Sequence, residues 1–117
     1  MKLYYLLNYI WVYGNIAMII PFLIAGINRF FHKGKDLKHH LFTDHLARIC
    51  LIFTISFYII ETIVKYPIDG ADTVCKKTFL IHHMGSILII APLIINRYIP
   101  WWVNPIGFMH GFLMAWP

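Results

Sequence analysis

Two adjacent histidines, His82 and His83, stand inside "TFLIHHMGSILIIAPLIIN", residues 78–96, a run of 19 residues without formal charge. Imidazole is the side chain that exchanges a proton near neutral pH. As a general base it needs a proton-bearing group within hydrogen-bonding reach and a third group to orient it. Glu61 is the one acid in the apolar run that precedes the pair, and Ser86 follows His82 by four residues, on the same helical face. Neighbours on a helix diverge by about 100°, so His82 and His83 cannot grip one metal ion as an i, i+4 pair does. No metal site is expected. His110 lies in the last apolar stretch. The candidate buried polar residues between helices are therefore Glu61, His82, His83, Ser86 and His110, with His82 and His83 as the candidates for catalysis. Their alternative role is structural, since an interhelical polar contact in lipid contributes about 1 kcal/mol.

The elements that must position these groups follow from composition. The chain has 117 residues, 60 % of them hydrophobic and 13 % charged, with a mean hydropathy of +0.68. A water-soluble core of that make-up lacks the polar residues to cover it. The expected class is an all-α, polytopic membrane protein in a single helical domain, 1–117. Its spans are expected at about 5–27, 45–65 and 78–96, each long enough for about 30 Å of hydrocarbon. A fourth segment, 101–117, is uncharged but interrupted by Pro105, which makes it a marginal or re-entrant helix. Thr43 or Asp44 is the expected N-cap of the second helix. Glu61 sits about four residues before the end of the second span, and His82 and His83 about five after the start of the third, so antiparallel neighbours bring all three to one depth. Cys50 lies at the start of the second span and Cys75 in the loop after it, on opposite sides of about 30 Å of hydrocarbon, and both are expected as free thiols, because a disulfide needs Cα atoms within about 7 Å.

The net charge of +5 does not point to nucleic acid, because the ten Lys and Arg fall almost entirely in the short segments between apolar runs. Residues 29–48 hold five of them, with two Asp and four His. Arg29, Lys33, Lys35 and Lys38 are the expected lipid-headgroup contacts, with a phospholipid such as cardiolipin as the bound species and no other cofactor. The charge balance favours this loop on the cytoplasmic or matrix side. Isoleucine appears 21 times against four valines, a bias that an A/T-rich gene produces.

From about Ile49 to Ile95 the chain resembles the first part of a TLC domain, the TRAM, Lag1 and CLN8 family of membrane proteins. The likeness rests on "FTISFYIIETIV", an aromatic-rich span with one acid, and "FLIHHMGSILIIAPLI", which is similar to the family's paired-histidine helix with a hydroxyl residue, Ser86, three after the pair. The resemblance implies that His82 and His83 correspond to the histidines implicated in acyl transfer. It covers only the front half of such a domain, and the acids that complete the acyltransferase signature are missing, since no Asp or Glu follows Asp72.

The expected function is accordingly that of a small, non-enzymatic accessory subunit of a larger membrane complex, with other membrane subunits and lipids as partners. The composition bias favours the mitochondrial inner membrane, in a respiratory-chain or ATP synthase assembly, with the endoplasmic reticulum as the alternative. The other reading is a TLC-type lipid-handling protein, an acyltransferase-like enzyme or lipid sensor that works through His82 and His83.

Overall fold

The computed structural model describes residues 2–32, 42–65, 73–96 and 99–114. They form four helices, α1 (Lys2–Phe31), α2 (Asp44–Lys65), α3 (Thr73–Ile95) and α4 (Val103–Met114), and among the described residues there is no strand. Three stretches, Leu3–Phe31, Asp44–Lys65 and Lys77–Ile95, are long and apolar enough to cross a membrane. The chain is a polytopic helical membrane protein. Two helices overrun the expected spans: α1 reaches Phe31, and α3 starts at Thr73 and takes Cys75, Lys76 and Lys77 into the helix. The reason is physical, because hydropathy marks where hydrocarbon ends, whereas a helix continues until its backbone is broken.

α4 has 12 residues, a length of about 18 Å that falls short of the hydrocarbon core. Pro105 does not interrupt this helix. It stands in the first turn of α4, where a missing N–H removes no intrahelical bond.

α2 is the central helix, packed against α1 on one side and α3 on the other, while α4 lies on α1. Its buried residues Ala47, Cys50, Leu51, Thr54, Phe57, Tyr58, Glu61 and Lys65 recur at spacings of three and four, the stripe of a helix that packs along one face. Met18, Phe22 and Ala25 of α1, Ala47, Cys50 and Leu51 of α2, and Ile99 and Val103 form the apolar core. Cys50 is a buried free thiol. α1 and α4 run antiparallel and approach closely at two glycines four residues apart. A Cβ on Gly107 would meet the Phe22 ring at 2.6 Å, and one on Gly111 would meet the carbonyl oxygen of Asn15 at 2.9 Å. Small residues at that spacing let helix backbones touch in lipid.

The end where α1 finishes and α2 begins is tied by charge. Arg29 donates from Nε to Asp44 Oδ1 at 3.1 Å and from Nη2 to Asp44 Oδ2 at 2.7 Å, and Nη2 also reaches the Ile99 carbonyl at 2.7 Å. Asn28 donates to the Thr43 hydroxyl at 2.6 Å, and Arg48 donates to the Ile94 carbonyl at 3.0 Å. Thr43 holds the cap position ahead of α2 and Asp44 opens the helix, where its carboxylate suits the helix dipole. Both side chains also join α2 to α1.

Candidate functional site

The paired histidines divide by burial. His83 is 4 % exposed, whereas His82 is exposed on the flank of α3. The fold puts His83 against α2, where its Nδ1 lies 2.8 Å from the hydroxyl of Thr62. Thr62 itself donates to the Tyr58 carbonyl at 2.6 Å. A hydroxyl has one proton to give, so Thr62 accepts from His83, and the neutral ring carries its proton on Nδ1 and its lone pair on Nε2. Tyr58 packs against both histidines, with ring centroids 4.7 Å from His83 and 5.9 Å from His82, and the two histidine rings are 5.8 Å apart. Phe79 covers His83 from within α3 at 4.0 Å.

α4 brings in a third imidazole. His110 Nε2 is 3.4 Å from the Tyr58 hydroxyl, and the His110 ring meets the edge of Trp11 at 5.7 Å. Trp11 stacks in turn on Phe57 at 4.7 Å. One layer of the bundle thus holds Trp11 of α1, Tyr58 and Thr62 of α2, His82 and His83 of α3 and His110 of α4. Among the described residues no three His, Cys, Asp or Glu side chains converge to hold a metal ion.

Glu61 lies in the same turn of α2 as Thr62, on a different face. Its ion pair is with Lys65 on its own helix, Nζ to Oε1 at 3.2 Å, with side chains 7 % and 11 % exposed. Lys65 also donates to Asn8 Oδ1 and lies over the Tyr4 ring at 4.7 Å. The residue of α2 that holds His83 is thus Thr62, the neighbour of Glu61. Ser86 shares the face of His82 but donates to its backbone carbonyl at 2.7 Å, a bond within α3. Asn8, Trp11, Tyr58, Thr62 and Lys65 were not among the sequence candidates. Lys65 alone carried a usable signal, the Glu-to-Lys spacing of four.

Of the expected headgroup contacts, Arg29 is 8 % exposed in its side chain and is engaged by Asp44 and Ile99. Lys33, Lys35 and Lys38 lie outside the described residues. Chemically, the histidine layer can take or pass a proton at His83 or His110 and can hydrogen-bond a polar group beside His82. The basic end is a structural clamp.

No family model matches this chain, and neither a curated protein nor a solved structure matches it.

Proposed function

We propose that the chain is a non-enzymatic accessory subunit that packs through α3 against other helices of a larger membrane complex. The observation that carries this reading is the position of His82, exposed on a span of which only 6 % of the most apolar window is buried, against 39 % for α2. An imidazole facing hydrocarbon is unfavourable, and a polar group on a neighbouring helix relieves it. Three further polar pairs tie helices together, Arg29 to Asp44, Thr62 to His83 and Lys65 to Asn8. The isoleucine-rich composition supports a mitochondrial inner-membrane host such as a respiratory or ATP synthase assembly, with cardiolipin near Arg29, Lys33, Lys35 and Lys38. Purification of the full chain in a mild detergent tests this. Stoichiometric co-purification of other membrane subunits is expected, weakened by His82→Ala. A chain that elutes alone with His82→Ala indistinguishable from wild type would overturn the reading.

A second reading, a TLC-type lipid enzyme or sensor, is favoured by His83, Tyr58 and His110 sharing one layer with an accessible His82. It requires acyl transfer by the purified chain that is lost in both His82→Ala and His83→Ala. Retention of complex assembly and function in those two variants argues against it.

A further inference from the structure

Between the C-terminal half of α1 and α4 lies a groove of about 920 Å³, within the range of ligand sites. Its deep walls are apolar, formed by Phe22 and Leu23 opposite Phe108 and Met109. Its polar lining lies toward the other end, with Arg29 in the last turn of α1 and His32 just past it, and Trp101 just before α4 and Asn104 in its first turn. Arg29 uses Nε and Nη2 on Asp44 and Ile99, and Nη1 makes no hydrogen bond among the described residues. His32 uses Nδ1 on the Asn28 carbonyl at 2.7 Å, which leaves Nε2. Asn104 is 1 % exposed, and both its amide nitrogen and its amide oxygen lack a partner. A buried amide in that state is costly unless something completes its hydrogen bonds. The order of these features, apolar walls at depth, an amide one turn below the rim and nitrogen donors at the membrane face, is the order of groups along a phospholipid.

We propose that this groove holds one acyl chain of a membrane phospholipid, with the phosphate at Arg29 Nη1 and His32 and the ester region against Asn104. The terminal torsion of Asn is soft, so its amide turns toward the groove at small cost. The site deepens the lipid contact of the proposed function, yet its test reads this chain alone and succeeds or fails apart from complex membership.

The full chain is reconstituted in phosphatidylcholine vesicles with a trace of phosphatidylglycerol bearing a photoreactive diazirine near the end of one acyl chain. After irradiation, label is expected on Phe22, Leu23, Phe108 and Met109 well above Leu88 and Ile95 of α3, which face outward. Leu23→Trp fills the groove from a position 46 % exposed, where a larger side chain leaves the core undisturbed. It is expected to cut labelling of Met109 about tenfold, the equivalent of losing one strong contact, while Leu88→Trp leaves it unchanged. Asn104→Leu lowers labelling and, by removing an orphan amide, raises the unfolding temperature in lipid-free detergent. A phosphate-free diacylglycerol probe with the same chain labels several times less. Even labelling of α1 and α3, or labelling of Met109 unchanged in both Leu23→Trp and Asn104→Leu, overturns the site, and equal labelling by the two probes overturns the phosphate contact.

Discussion

At the Arg29 end the bundle is held by a bidentate guanidinium–carboxylate pair whose side chains are 8 % and 0 % exposed, with a third bond from the same guanidinium to a backbone carbonyl. Around Tyr58 it is held by single neutral hydrogen bonds and ring contacts, and one of the three histidines there is exposed. The first arrangement is strong, directional and nearly saturated. The second leaves ring nitrogens uncommitted. The contrast teaches which end sets the architecture: the clamp fixes where α1, α2 and the start of α4 stand, and the histidine layer is assembled by that placement.

The sharpest way to break the comparison is to remove one half of the clamp. Asp44→Ala leaves a buried guanidinium without its counter-charge and should cost about 3–5 kcal/mol, read as a large drop in unfolding temperature in detergent. Replacing both partners, as in Arg29→Met with Asp44→Leu, should recover most of that loss. Failure of the double variant to recover would show that the Ile99 carbonyl bond, not the ion pair, dominates. Gly111→Val strikes the link between the two regions. Its new side chain meets the Asn15 backbone at 2.9 Å, so a cost of about 1–3 kcal/mol is expected, together with His110 moving off Tyr58 in a crosslinking or fluorescence measurement. Thr62→Val should cost only about 0.6–1 kcal/mol. Its clearer signature is in nitrogen-15 spectra, where His83 should lose its fixed proton on Nδ1. His82→Ala, at an exposed position, should change the stability of the isolated chain by about 0.5 kcal/mol at most, and its effect should be confined to association with partners.

The three spans were legible because each apolar run is long enough to cross the bilayer and its flanks are charged. The shared depth of Glu61 and the histidine pair was legible too, since it needs only the rise of a helix. What could not be read was rotation. A step of one residue turns a side chain by about 100°, and that single step separates Glu61, which takes Lys65, from Thr62, which takes His83. The bond between Arg29 and Asp44 is equally invisible, because a sequence separation of 15 fixes no distance. The four-residue spacing of Gly107 and Gly111 stands in the sequence as "GFMHG", but which helix it meets is not written there, and the contact it serves lies within the chain. Pro105 misled by type: proline is a breaker in a helix interior and a starter in its first turn.

The triple use of Arg29 also sets an order of events during synthesis. Residues 29 and 44 leave the ribosome before residue 99, so the first hairpin can close on its own ion pair with the second N–H of Nη2 still to be matched by an oxygen not yet made. The Ile99 carbonyl, four residues ahead of α4, then has a socket already built for it.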